Sequence, residues 1–222
     1  MVNSTTQLPS WVQGLLTVEQ VQRLSDLVAQ AESQTSGEIV PVLVHRSSAV
    51  GHVRWILIGF LTVVFLVAEA LYSQWSWGWH WTWLPPIAFL AIVVISGPIS
   101  RWDWVQRLLT SQADEDFQVT QRAELEFYRS HIKKTLGGTG ILIFVSWMER
   151  RAVILADEGI AQHYPPETWD EVVEAMTQEF RQGHVEKAFE VGIRRCGEIL
   201  KVHLTPKSDD RNELHNRLVI GP

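Results

Sequence analysis

The 222-residue chain has a single cysteine, no basic stripe, and almost no charge along a long central stretch. Cys196 has no partner, which excludes a disulfide scaffold. With Lys+Arg 19 against Asp+Glu 25, the net charge is −6, and nothing is available to neutralise a phosphate backbone, so nucleic-acid binding is not expected. The eight histidines form no HExxH or HxH pair, and GxSxG, P-loop and GxGxxG patterns are missing. No basic segment followed by an apolar one opens the first thirty residues, so the N-terminal part is expected to stay inside the cell. What is present is an apolar content of 46%, too high for disorder and matched to one domain, or one domain with a small appendage.

The apolar residues are concentrated. Between Trp55 and Ser100 the one formally charged side chain is Glu69. Two runs, Trp55–Leu71 and Trp81–Ile99, are each roughly 26–29 Å long as helices, near the thickness of a hydrocarbon core. Pro85 and Pro86 fall in the first turn of the second run, where a missing N–H breaks no helical bond. Between the runs Trp75, Trp77, Trp79, Trp81 and Trp83 alternate without Lys or Arg, as rings at a headgroup boundary do. Arg46 and Arg54 flank one side, Arg101 and Arg107 the other. The excess of arginine on both flanks predicts a multi-pass hairpin in the cell (inner) membrane, with the soluble parts facing the cytoplasm and the Trp-rich turn outside. Glu69, close to a run's end, reads most simply as a hydrated interfacial carboxylate.

In the soluble remainder, Thr17 and Gln20 predict a capping box, with Leu16 and Val21 as its staple, ahead of a helix that Gly37 ends. Glu38–Val44 reads as a strand whose Pro41 asks for an edge or a bulge. A helix is expected over 112–135 with Phe117, Leu125, Tyr128 and Ile132 on its inner side, stopped by Gly137 and Gly138. Strands at Gly140–Ser146 and Ala152–Ala156 follow, then a helix opened by Thr168 and Glu171. The last helix, 184–203, carries Val185, Phe189, Ile193, Cys196 and Leu200 on one stripe, which makes Cys196 a core residue. The expected division is 1–50 as helix and first strand, 51–104 as membrane hairpin, 105–204 as the rest of the domain, and 205–222 as a polar tail. The first strand needs a sheet, and only strands beyond the hairpin can supply one. The fold class is therefore α/β, a small central sheet flanked by helices and interrupted by a two-helix transmembrane hairpin.

The Gly137–Gly140 stretch precedes a strand, so it reads as a plain turn and not a phosphate cradle. Acids near strand and helix ends are the remaining candidates: Asp157 and Glu158 after a strand, and Asp209, Asp210 and Glu213 after the last helix. Gathered from distant loops, such carboxylates suit a hard cation, Ca²⁺ or Mg²⁺; left apart, they are solvated loop acids. The segments AESQTSGEIVPVLV (31–44), GILIFVSWMERRAVILADEGI (140–160), WDEVVEAMTQEFRQG (169–183), VGIRRCGEIL (191–200) and DDRNEL (209–214) resemble the TPM domain, a family of thylakoid lumen, photosystem II repair and nematode receptor-modulating proteins. The resemblance implies an α/β sandwich, a Ca²⁺ (or Mg²⁺) site at Asp157, Asp209 and Asp210 with Glu38 as a fourth candidate, and no organic cofactor. It also implies a module that binds a cation or a membrane protein complex in assembly, repair or maintenance. Weak metal-dependent acid phosphatase activity is the alternative. This chain departs from the family's common form in placing two apolar runs inside the domain, after its first strand.

Overall fold

The computed structural model describes residues 8–47, 51–73, 84–100, 102, 105, 109, 112–132, 135, 137–206, 214 and 216–221. The Trp-rich turn expected at 73–80 lies, from residue 74 on, outside the described residues, as do Asp209 and Asp210. The chain divides into two compact units, 1–47 with 116–222, and 48–115.

The first unit is built on a four-stranded mixed sheet, order β3-β2-β1-β4. β1 (Glu38–Val44) and β2 (Gly140–Ser146) run parallel in unbroken register, Glu38 opposite Gly140 and Val44 opposite Ser146. β3 (Arg151–Ala156) returns antiparallel to β2, and β4 (Val219–Gly221) pairs parallel with Val42–Val44. Both β1 and β2 are buried along their whole length, which explains why they read as continuous apolar runs without alternation. The first strand thus finds its partners beyond the apolar insertion, as the sequence requires.

One face of the sheet is covered by three helices. These are α1 (Val18–Glu32), α6 (Asp170–Arg181) and α7 (Val185–His203), around Leu24, Val28, Ile141, Ile143, Phe180 and Phe189. All five residues of the expected α7 stripe are buried, Cys196 included, and burial pushes its thiol far above the ordinary range. α1 begins on the expected capping box: Gln20 N–H donates to Thr17 Oγ1 (3.3 Å), and Gln20 Oε1 accepts from Thr17 N–H (2.7 Å). Thr17→Ala is expected to lower stability by about 1 kcal/mol, read as a lower urea midpoint at unchanged slope.

The opposite face is covered by α4 (Gln112–Arg129). This helix stops six residues short of the expected end, and His131 turns the chain at φ +58°. Its inner side also differs from the expected one. Val119, Ala123 and Phe127 are buried, whereas Phe117, Leu125 and Tyr128 face outward. The sheet beneath packs Val40, Val42, Val44, Leu142 and Phe144 against Val119, Ala123 and Phe127. Of the expected inner residues, only Ile132 is buried, beyond the helix end.

Three further expectations are corrected. Gly37 does not end α1, which closes at Ser33; a Cβ at Gly37 would lie 2.9 Å from Leu200 Cδ1. Thr168 and Glu171 make no capping box. Pro166 starts a 3-10 turn (Pro166–Trp169), and Thr168 N–H is spent on Pro165 O (3.0 Å) inside it. Pro41 causes no bulge, since β1 keeps its register throughout; β4 starts opposite Val42, so Pro41 needs no N–H on that side. β4 itself falls within the stretch read as a tail.

The second unit holds two apolar helices that pack together, α2 (Gly51–Ser73) and α3 (Leu84–Ile99). Val53–Leu71 is long and apolar enough to cross a membrane by length and composition, while α3 is shorter, at 16 residues. Trp55 is 73% exposed and Leu90 64%, so the large apolar side chains of this unit point outward instead of forming a core.

Candidate functional site

Three neighbouring strand ends form the candidate site. Glu38 opens β1, Gly140 opens β2 opposite it, and Asp157 follows the last residue of β3, its N–H donating to Gly140 O (2.9 Å). Even-numbered β1 residues face α4, and the pairing row Glu38–Gly140–Asp157 directs both carboxylates to that same side. They stand two strand spacings apart, roughly 10 Å. Gly140 between them has no side chain because Ile132 fills the space a Cβ would need.

Asp157 is 8% exposed and caps a four-residue helix, α5 (Glu158–Ala161), its Oδ1 accepting from Glu158 N–H (2.9 Å). The Gly137–Gly138 turn, at φ +103° and +64°, lies against it: a Cβ on Gly138 would sit 3.4 Å from Asp157 Oδ2. Gly159 N–H donates to Gly138 O (3.0 Å) and ties the turn to α5. Tyr164 braces this corner against α7 through its hydroxyl, which donates to Ile199 O (2.6 Å).

Glu32 joins the same end of the sheet and was not singled out from the sequence. The last residue of α1, it accepts Ile39 N–H on Oε1 (2.9 Å), while its Oε2 is buried without a hydrogen-bond partner among the described residues. Burial, reinforced by the charge of Glu38 and opposed by the Ile39 N–H, raises its carboxyl from 4.5 to about 8. Its signal was visible: Leu24, Val28 and Glu32 follow one another at i+4, so the acid continues a buried stripe.

The four acids expected to act together are only partly located. Asp157 and Glu38 share one sheet end, with Ile132 between them. Among the described residues no three His, Cys, Asp or Glu side chains are grouped so as to hold a metal ion. The chain leaves α7 at Leu204, whose carbonyl accepts from Ser36 N–H (3.1 Å) and Thr35 Oγ1 (2.8 Å) beside the start of β1. It is described as far as Pro206 and then again at Leu214, on the α4 face.

Residues 105–199 match the TPM domain. The TPM match spans β2, β3, Asp157, α6 and most of α7, and bears out the resemblance drawn from segments 140–160, 169–183 and most of 191–200. The chain is also similar in fold to BA42 protein from the psychrophilic bacterium Bizionia argentinensis, solved by NMR. The two are 20% identical with a TM-score of 0.58, over 99% of this chain and 100% of that one, a likeness of fold alone. No curated protein matches this chain.

Proposed function

We propose that the chain is a multi-pass protein of the cell's inner membrane whose TPM domain faces the cytoplasm. It binds a divalent cation, Ca²⁺ or Mg²⁺, or a membrane protein complex in assembly, repair or maintenance. The observation that carries the anchoring is the outward-facing apolar surface of the 48–115 unit. Trp55, Phe60, Ile87 and Leu90 are all more than 60% exposed, and lipid is the solvent that such a surface suits. The two-helix hairpin places both flanks on the arginine-rich side. The cation reading rests on Asp157, buried beneath a glycine turn at a sheet end that also holds Glu38; Asp209 and Asp210 are added by the family resemblance of their segment.

Alkaline carbonate extraction of membranes bearing the full chain tests the anchor. The chain is expected in the pellet, and its release to the supernatant overturns the anchor. Calorimetric titration with CaCl₂ or MgCl₂ at millimolar concentration tests the cation. Heat that disappears in Asp157→Asn supports it, and no heat overturns it. Turnover of p-nitrophenyl phosphate that both a chelator and Asp157→Ala abolish would replace a binding module with a metal-dependent hydrolase.

A further inference from the structure

The opposite end of the sheet holds both covalent connections to the apolar helices. β1 ends at Val44, and Ser47 is the last residue described before α2 starts at Gly51. The chain returns through α4, whose Asp116 pairs with Arg151, the first residue of β3 (3.0 Å). Val44, Ser146 and Arg151 are aligned across the three strands, so departure and return share one rim.

The β2–β3 turn is fastened to the departing chain. Trp147 N–H donates to Val44 O (3.0 Å) and Met148 N–H to His45 O (3.1 Å). The Glu149 carboxylate accepts from Ser47 N–H (3.2 Å) and from the Ser146 hydroxyl, which accepts in turn from Ser47 Oγ (2.8 Å). At the tip, Arg150 is exposed and held at φ +53°. The Trp11 ring lies 4.9 Å from that of His45, and both Trp11 and Trp147 are half-buried.

Resting on the membrane anchoring proposed above, we infer that this rim, made by Trp11, His45, Arg46, Trp147, Met148 and Arg150, docks on anionic phospholipid headgroups and orients the TPM domain. Four peptide steps join Ser47 to Gly51, a reach of at most roughly 14 Å. Tryptophan and arginine are the residues that the headgroup layer favours. Glu149 accepts from Ser47 and Ser146, and Asp116 pairs with Arg151. β1 spans roughly 20 Å from this rim to Glu38 at the candidate site.

The test uses the full chain in phosphatidylcholine vesicles with and without phosphatidylglycerol. A nitroxide is placed at Met148→Cys or at Glu158→Cys, the native Cys196 being fully buried. Collision with a nickel-chelating lipid is expected to be about fivefold faster at 148 than at 158 when phosphatidylglycerol is present, and to lose roughly half of that ratio in high salt or in Arg150→Glu. Equal collision rates at the two positions, in protein that still floats with the vesicles, overturn the docking face and leave the anchor standing. Protein that does not float with the vesicles overturns both.

Discussion

Glu32→Gln is expected to hold the melting temperature of the α/β domain level from pH 5 to pH 9, while the unsubstituted chain loses stability across that interval. In the folded chain burial lifts the Glu32 carboxyl to about 8, and the charge of Glu38 adds to the shift. In the unfolded chain the same group titrates near 4.5. Below pH 4.5 both states carry the proton, and the favourable neutral form is fully present. As pH rises past 4.5, the unfolded chain releases its proton and the folded chain does not, so stability falls until the folded group also ionises near 8. The full loss is of the order of 3–5 kcal/mol. Glutamine keeps an oxygen for the Ile39 N–H and has no proton to lose, so its unfolding midpoint should be independent of pH in this window. A parallel decline in the variant would place the titration elsewhere.

Much of the fold could be read in advance because its core elements carry period and length in their own residues. β1 and β2 are uninterrupted apolar runs because both faces are covered, and α7 shows its five buried residues at helical spacing. α4 misled because two apolar stripes compete on it. The bulky one, Phe117, Leu125 and Tyr128, stands out in sequence, but the valine-lined face of β1 selects Val119, Ala123 and Phe127. Three-residue β4 has no pattern of its own and exists only through its pairing with Val42–Val44. The Thr168–Glu171 box failed for a local reason: proline at 166 sets a tighter turn before a cap can form.

The candidate site divides in the same way. Asp157 was recognisable from its place after a strand, whereas its partner in the row, Glu38, entered only through the resemblance of its segment to the TPM domain. Their separation was not recognisable, since it depends on β1 and β3 lying on either side of β2, a strand order set by pairing between residues far apart in sequence. Glu32 was within reach of pattern reasoning, because an acid that extends a Leu–Val stripe by four residues must be buried or the helix must end there. Both hold: α1 stops on it. Gly159 has no such signature. Nothing in DEGI distinguishes a glycine required for space from one tolerated at a helix start.

That requirement yields the second large effect. Gly159→Ala is expected to destabilise the domain by roughly 2–3 kcal/mol, an overpacking cost that no rotamer can relieve. The new Cβ would meet Gly137 O, and would lie 2.8 Å from Gly138 O and 3.2 Å from Gly138 C. All three are backbone atoms, so the turn itself must move. Movement breaks the Gly159 N–H to Gly138 O bond and lifts the turn away from Asp157, which it covers. The same added methyl at Gly14 meets nothing within 4 Å, so Gly14→Ala should leave the urea midpoint unchanged or slightly raised. Stability and site are therefore coupled at one atom. If Asp157 helps hold Ca²⁺ or Mg²⁺, Gly159→Ala should lose cation heat together with stability, while Gly14→Ala keeps both. A Gly159→Ala chain whose urea midpoint equals that of Gly14→Ala would show that the glycine turn is not packed on α5 as described.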